Sequence, residues 1–338
     1  MPKLRKDPVV GRWVIIATER ARRPGNIVDT TQRAVMEAVS CPYCGNHLSA
    51  IDSIKDETRS DQNERWLVKV LASPNPLFQT GSATSLPSDE LYEVISPIGV
   101  NEIVIESPEH VANMADLDVA QIQRVIEVWQ RRFKALQSNN AFQYIQAYKN
   151  YGVAAGSRNI GHARSHVLGL PVIPLRVQEK LHGAQRYFEE QKRCLYCELI
   201  QKEEETPVRI IEQNEHFTAF VPFAARYLFE VWVIPRQHHC RFADGITGQE
   251  EALARILKCL LRRFQMGLND PAYNLLIESA PLFLNPSDLS ALCEKAYHWH
   301  LELLPRLTRL AGFEKGTDFF ICPAPPEQTA EFLRRASI

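Results

Sequence analysis

The chain carries little excess charge of either sign and contains no long hydrophobic run. Its 338 residues have a formal net charge of −1 at pH 7. The strongly basic field typical of nucleic-acid binding is therefore missing, and we expect no nucleic-acid partner. No window approaches the roughly 18 uninterrupted apolar residues of a membrane span. The first seven residues, MPKLRKD, contain no apolar core of a signal peptide. We therefore expect a cytoplasmic protein without a membrane segment.

The composition is that of an ordinary globular protein, with 45% hydrophobic and 23% charged residues. The length fits two domains, or one domain built from two similar halves. In a reducing compartment, the eight cysteines are more consistent with thiols or metal ligands than with disulfides. Four of them form two C-x-x-C pairs, and the other four are isolated.

Apolar spacing predicts two helices, over Leu117–Leu136 and Thr247–Leu268. Thr247 and Glu250 match a capping box at the start of the second helix. Strand-like runs flank each helix, at 102–106 and 142–148 around the first and at 230–234 and 273–277 around the second.

The same order of motifs occurs twice, which indicates an internal repeat. Each half contains, in order, a C-x-x-C pair, a strand, a histidine, a helix, a second strand, and a His-containing strand that ends in Leu-Pro. The matching residues are Cys41, Cys44, His110 and His162 in the first half and Cys194, Cys197, His238 and His298 in the second. We predict an α+β fold of two similar halves, residues 1–178 and 179–338, each an antiparallel sheet with packed helices.

These eight residues are candidate metal ligands. Two cysteines and two histidines are a common tetrahedral zinc set. Because four protein ligands leave no open coordination position, such sites would be structural. The repeated ligand order favours two zinc ions. The alternative is that the cysteines are buried thiols and the histidines are satisfied core residues.

Several longer runs resemble the galactose-1-phosphate uridylyltransferase family of the histidine-triad superfamily. They lie at residues 7–17, 20–24, 41–44, 106–110, 149–156, 298–314 and 323–326. The second C-x-x-C pair resembles the two-zinc members, which include the ADP-glucose phosphorylase branch. The resemblance implies two histidine-triad-like halves, a homodimer, and ping-pong transfer of a nucleotide through a nucleotidyl-histidine.

The nucleophile motif of the family is altered in this chain. The family has His-Pro-His-x-Gln, and residues 162–166 read HARSH. Arg164 therefore takes the position of the nucleophile and His166 that of the glutamine. A guanidinium is protonated at every accessible pH and offers no lone pair to phosphorus. Arg164 is either a phosphate or carboxylate ligand or a packing residue in an inactive site.

Further candidates surround this motif. His166 lies two residues after Arg164, so the two side chains share one face of a strand and His166 can approach the pocket. It is a candidate base, a candidate nucleophile, or a space-filling residue. His300 shares a strand face with His298 and is a candidate metal ligand, core residue or relocated nucleophile. Candidate contacts to a phosphorylated ligand, from charge or from the resemblance, are Arg20, Arg23, Asn150, Gly156, Ser157 and Arg158.

Three functions are open at this point. The first is a diverged nucleotidyltransferase-like enzyme, resembling UDP-glucose:hexose-1-phosphate uridylyltransferase, that binds a nucleotide, nucleotide sugar or sugar phosphate and has lost the covalent histidine step. The second is a non-catalytic, zinc-stabilised binding protein. The third is a lyase or hydrolase with new chemistry around Arg164 and His166. Because Gly152, Gly156 and His166 indicate a working pocket, the first is our working hypothesis.

Overall fold

The computed structural model describes residues 2–19, 36–44, 54–60, 65–81, 91–158, 160–282 and 288–337. Within these ranges, no helix combines the length and the apolar character needed to cross a membrane. The strands are β1 (Lys3–Lys6), β2 (Trp13–Ile16), β3 (Ile54–Arg59), β4 (Trp66–Ala72), β5 (Val100–Ile105), β6 (Tyr144–Tyr151), β7 (Arg164–Leu170), β8 (Ile210–Gln213), β9 (Phe217–Phe220), β10 (Val231–Pro235), β11 (Tyr273–Glu278), β12 (His300–Pro305) and β13 (Phe320–Cys322). The α-helices are α1 (Val119–Gln137), α2 (Leu175–Gln191), α3 (Leu195–Glu205), α4 (Phe242–Gly245), α5 (Glu250–Gly267), α6 (Asp288–Ala296), α7 (Gly312–Thr317) and α8 (Pro326–Arg335).

Ten strands form one sheet in the order β3-β4-β5-β7-β6-β11-β12-β10-β9-β8. All neighbours in this sheet are antiparallel. From the centre outward, the strand order of one half repeats that of the other, and the two halves join where Tyr148 of β6 lies opposite Leu276 of β11. The predicted α+β class with antiparallel sheets is confirmed. The division between residues 178 and 179 stays a prediction, and α2 runs across it.

The equivalent helices α1 and α5 pack against each other on one face of this sheet. Their apolar stripes supply Ile122, Trp129 and Phe133 from α1 and Leu257 and Leu261 from α5 to the largest core cluster. Burial of these stripes stabilises helices that would be marginal in isolation. The Asp118 side chain caps α1 by accepting a hydrogen bond from the Gln121 backbone N–H at 2.7 Å. Both predicted helices are confirmed, with ends that shift by one to three residues.

The capping box predicted at Thr247 is wrong. Helix α5 begins at Glu250, and its N-cap residue Gln249 makes no side-chain cap. The Thr247 hydroxyl oxygen instead accepts a hydrogen bond from Gln130 Nε2 of α1 at 2.8 Å. The pattern failed because a contact between helices uses the hydroxyl that the local motif would need.

The opposite face of the sheet differs between the halves. In the second half, α2 covers it, and the N-terminal turn packs closely on α2. A Cβ added to Gly183 would lie only 1.7 Å from the Val9 carbonyl oxygen. Strands β1, β2 and β13 form a separate three-stranded sheet, in which β13 runs parallel to β2. In the first half, the corresponding face is open and forms a cleft.

Candidate functional site

Strand β7 sends its alternate side chains to opposite faces of the sheet. Ser165 points toward α1, where its hydroxyl accepts a hydrogen bond from Trp129 Nε1 at 2.8 Å. Arg164 and His166 therefore point to the open face. Both line a cleft of about 400 Å³. The two residues that the sequence comparison predicts at the nucleophile and glutamine positions of the family motif thus share one site.

The cleft gathers most of the residues predicted to contact a ligand. Its polar and charged lining comprises Tyr43, Ser73, Asn75, Asn101, Tyr148, Asn150, Ser157, Arg158, Arg164 and His166, and Gly156 also lines it. Within the described part of the chain, no carboxylate belongs to this lining. Two arginines without an acidic neighbour in the wall give the cleft a positive potential. Arg20 and Arg23, two further predicted anion contacts, lie outside the described residues.

The Arg164 guanidinium is buried, with 9% of the residue exposed. It donates hydrogen bonds to the His162 backbone oxygen at 3.2 Å, to Ser157 Oγ at 3.2 Å and to the Arg158 backbone oxygen at 3.3 Å. All three acceptors are neutral. Glu106 acts on the guanidinium electrostatically, but its carboxylate forms an ion pair with Lys149. Burial lowers the pKa of Arg164, as expected for a cation without a close counter-charge.

His166 stacks on Tyr148 of the neighbouring strand, with ring centroids 4.9 Å apart and ring planes 15° from parallel. Its Nδ1 atom is buried and has no hydrogen-bond partner. Burial, Arg164 and Lys149 lower the pKa of His166 to about 4. The imidazole is therefore neutral at physiological pH, but no hydrogen bond fixes the direction of its ring nitrogens.

The loop between β6 and β7 forms one wall of the cleft. Gly152 and Gly156 adopt φ angles of 77° and 87°, which a residue with a side chain rarely adopts. They bracket the 3-10 helix Val153–Ala155 and turn the chain so that Ser157 reaches Arg164. The Arg158 side chain is exposed at the rim.

An ion pair beneath the cleft was missed by sequence reasoning. Lys149 Nζ donates hydrogen bonds to Glu106 Oε2 at 2.6 Å and to the Arg164 backbone oxygen at 3.2 Å. Both charged side chains are buried. Burial lowers the pKa of Lys149, and Glu106 opposes that shift. The available signal was a charged residue at the end of two predicted strand runs, because Glu106 closes the run 102–106 and Lys149 directly follows the run 142–148.

The first Cys/His cluster brings together Cys41, Cys44, His110 and His162, with one possible ligand atom of each within 4.8 Å of all the others. Cys44 Sγ lies 3.2 Å from His110 Nδ1 and 3.3 Å from His162 Nδ1. The Nε2 atoms of these histidines lie 2.9 Å from the backbone oxygens of Met36 and Ser107. Because a carbonyl only accepts, each Nε2 carries the proton, and each Nδ1 keeps its lone pair for a metal ion.

The second cluster repeats this arrangement with Cys194, Cys197, His238 and His298. Cys197 Sγ lies 3.5 Å from His238 Nδ1 and 3.6 Å from His298 Nδ1. His238 Nε2 donates to the Glu294 backbone oxygen at 2.9 Å. The Nε2 atom of His298 is buried and has no hydrogen-bond partner. Both clusters therefore fit a metal ion in ligand type, and three of their four histidines also fit in proton position.

The structure does not bring His300 to the cleft. Its side chain is fully buried between the rings of Tyr196 and Trp232, with centroids 5.1 and 5.2 Å away. Its Nδ1 atom lies 3.0 Å from the His298 backbone oxygen. His300 is not part of the second Cys/His cluster. This placement favours a core role over a catalytic one.

Comparisons with known proteins agree with this geometry. A family model described as galactose-1-phosphate uridyl transferase, N-terminal domain, matches residues 1–183, and its C-terminal counterpart matches residues 180–314. An ADP-glucose phosphorylase from Arabidopsis thaliana is 33% identical over 341 residues, which cover 100% of this chain and 93% of that protein. A galactose-1-phosphate uridylyltransferase from Thermotoga maritima is 25% identical over 345 residues, covering 100% and 99%.

The fold comparison points the same way. The crystal structure of an ADP-glucose phosphorylase from Arabidopsis thaliana with bound ADP-glucose matches with a TM-score of 0.82 and 31% identity, covering 100% of both chains. With its two family models, its full-length relatives and this structural match, the chain belongs to the galactose-1-phosphate uridyl transferase family.

Proposed function

We propose that the first-half cleft binds a nucleotide, nucleotide sugar or sugar phosphate through Arg164, in a nucleotidyltransferase-like protein that has lost the covalent histidine step. The supporting observation is the Arg164 guanidinium, which is buried and hydrogen-bonded to neutral oxygens alone. A buried charge without a counter-charge is costly. A phosphate group would supply that charge together with two parallel hydrogen-bond acceptors.

The relatives indicate the class of ligand. One is an ADP-glucose phosphorylase whose crystal structure contains ADP-glucose, and another is a galactose-1-phosphate uridylyltransferase. Nucleotide sugars and sugar phosphates both carry the phosphate that Arg164 requires. The absence of acidic side chains from the described lining of the cleft supports an anionic ligand of this kind.

Arg164 cannot repeat the family's chemistry, because a guanidinium has no lone pair with which to attack phosphorus. His166 also lines the cleft, but its Nδ1 lacks the partner that would orient the ring. We therefore propose direct displacement. An oxygen of the acceptor phosphate attacks the α-phosphorus, the bond to the leaving sugar phosphate breaks, and the leaving oxygen keeps the electron pair.

A second candidate is a non-catalytic binding protein that keeps the pocket and the metal sites. The same unoriented imidazole favours it, because the described lining of the cleft contains no other histidine. Turnover separates the candidates. The first requires slow transfer from a nucleotide sugar to an acceptor other than galactose-1-phosphate, such as inorganic phosphate, whereas the second requires binding without any product.

We further propose that both Cys/His clusters hold zinc in structural sites, since four protein ligands close the coordination shell. The homodimer and the cytoplasmic location are proposals that rest on the family resemblance and on composition. Sedimentation of the purified protein and the distribution of a tagged chain in cells test them.

Calorimetric titration with UDP-glucose and ADP-glucose tests the proposed binding. Replacing Arg164 with Ala should weaken binding by about 1.5–3 kcal/mol, the scale of a hydrogen bond to a charged group. Arg255→Ala is the matched control, because Arg255 is an exposed arginine of α5 paired with Glu251. Equal binding by wild type and Arg164→Ala, or no binding to the wild type, would refute the proposal.

A further inference from the structure

We propose that Asn274 is a positioning residue, which fixes the Asn150 amide so that its NH₂ group faces the cleft. This inference rests on the proposed binding of a phosphorylated ligand beside Arg164. Asn274 lies on β11 of the second half, directly opposite Asn150 on β6 of the first. It is buried, with 7% exposed, and it does not line the cleft itself.

Two groups of fixed polarity set the orientation of the Asn274 amide. Its Nδ2 donates a hydrogen bond to the Ala155 backbone oxygen at 2.9 Å, and its Oδ1 accepts one from Arg306 Nε. A carbonyl can only accept and a guanidinium can only donate. The reversed amide would place oxygen against oxygen and N–H against N–H. The donor and acceptor character of these two partners therefore decides the orientation of the amide.

The orientation of Asn274 then sets that of Asn150. Asn274 Nδ2 also donates to Asn150 Oδ1, at 2.7 Å. Because the Asn150 oxygen is engaged there, its NH₂ group is the end left for the cleft. This group lies beside Gly156, where an added Cβ would be 3.8 Å from Asn150 Nδ2. A donor in this position complements a phosphate oxygen, whereas the reversed amide would present an acceptor and repel it.

Arg306 anchors the far end of this hydrogen-bond chain. Its guanidinium lies over the Tyr227 ring, 4.7 Å from the centroid, and its backbone N–H donates to the Ala272 oxygen at 2.7 Å. From Arg306 through Asn274 to Asn150, every side-chain link donates toward the cleft. A residue of the second half thereby determines which hydrogen-bonding group the first half offers to its ligand.

Replacing Asn274 with Leu tests the role, because leucine has a similar size but cannot hold the Asn150 oxygen. The probes are adenosine and uridine 5′-monophosphates, with the free nucleosides as uncharged controls. We expect Asn274→Leu to weaken monophosphate binding about tenfold, the scale of one lost donor, and to leave nucleoside binding unchanged. In an Asn150→Ala background, the same replacement should have no further effect, since the two residues act as a unit.

Arg306→Met provides a milder second variant if the leucine disturbs folding, because Arg306 is only half-buried. Arg306→Met should also weaken monophosphate binding. In the Asn150→Ala background, it should have no further effect. An unchanged affinity in Asn274→Leu, or an equal loss with and without Asn150, would overturn the positioning role. Binding that depends on Arg164 but not on Asn274 removes this inference alone. A wild type that binds no monophosphate removes the proposed function and this inference with it.

Discussion

The two halves present equivalent strand faces with different contents. Where β6 pairs with β7, Tyr148 lies opposite His166, and where β11 pairs with β12, Leu276 lies opposite Glu302. By this register, Arg164 corresponds to His300. The first-half face is open and its arginine lacks a carboxylate partner, whereas α2 covers the second-half face. The repeated sheet therefore supplies two similar positions for a site, and the covering helix leaves only one of them accessible.

The charged side chains of the covered face form ion pairs with one another. Lys180 of α2 reaches Glu278 at 3.0 Å and Glu302 at 2.7 Å. Arg226 pairs with Glu302 at 2.6 Å and with Glu230 at 2.8 Å. The two cations lower the pKa of Glu302 far enough to overcome the opposing effect of burial. The contrast with Arg164 shows the difference between a structural face, which contains its own counter-ions, and a binding face, which requires one from a ligand.

The largest expected effect concerns the two Cys/His clusters, one in each half. Purified protein should contain close to two zinc ions per chain by elemental analysis. Cys41→Ser and Cys194→Ser should each lose one ion and unfold the half concerned, because structural zinc contributes about 10 kcal/mol or more of folding free energy. Cys259→Ser, at a cysteine of α5 outside both clusters, is the control. This prediction would be contradicted by folded protein that contains no metal although it was never exposed to a chelator.

The next effect tests the ion pairs of the covered face. Lys180→Met should leave two buried carboxylates short of a cation and lower the free energy of unfolding by about 3–5 kcal/mol in urea titrations. Lys202→Met, at an exposed lysine of α3, should change it by less than about 0.5 kcal/mol. If both variants lose the same small amount, the ion network does not stabilise this half.

Local patterns predicted the parts of the molecule that depend on neighbours in sequence. The Cys/His clusters were predicted from the two C-x-x-C pairs together with the repeated order of histidines, and the structure brings both sets together. The helices were predicted from apolar periodicity, because each buries one stripe. The openness of one half could not be predicted in this way. It depends on where α2 packs, and that contact joins Lys180 to Glu302, 122 residues apart in the chain. The failed capping box at Thr247 has the same cause, a tertiary contact that takes over a local group.

A smaller effect concerns His166. This half-buried imidazole lies near Arg164 and Lys149, and the equivalent position of the covered half is Glu302. Its pKa in the folded protein is lowered to about 4, against about 6.5 in the unfolded chain. Below pH 6.5, the unfolded state therefore binds more protons, and the wild type loses stability as pH falls. Between pH 7 and pH 5, the loss should be about 2 kcal/mol larger in the wild type than in His166→Gln, which cannot titrate. Parallel pH–stability curves for the two proteins would show that this pKa is not lowered.

The smallest expected effect is the formation of a covalent nucleotidyl adduct in Arg164→His. The wild type should show no measurable uridylyl exchange between UDP-glucose and galactose-1-phosphate, and no nucleotidyl adduct at Arg164. His300 shows how this strand position orients an imidazole, because its Nδ1 lies 3.0 Å from the His298 backbone oxygen. Arg164 donates to the equivalent oxygen of His162. A histidine introduced by Arg164→His can form the same contact and turn Nε2 toward the cleft.

We expect Arg164→His to form a slow, acid-labile nucleotidyl adduct, detectable by intact mass after incubation with UDP-glucose or ADP-glucose. Turnover should stay poor, because the family motif has a glutamine where this chain is predicted to carry His166. Arg164→Gln is the matched control, since it removes the charge without adding a nucleophile. An adduct on the wild type, mapped to His166, would show that the nucleophile had moved along the strand. Family-like ping-pong exchange by the wild type without an adduct at His166 would instead mean that the alignment of residues 162–166 with the family motif is wrong.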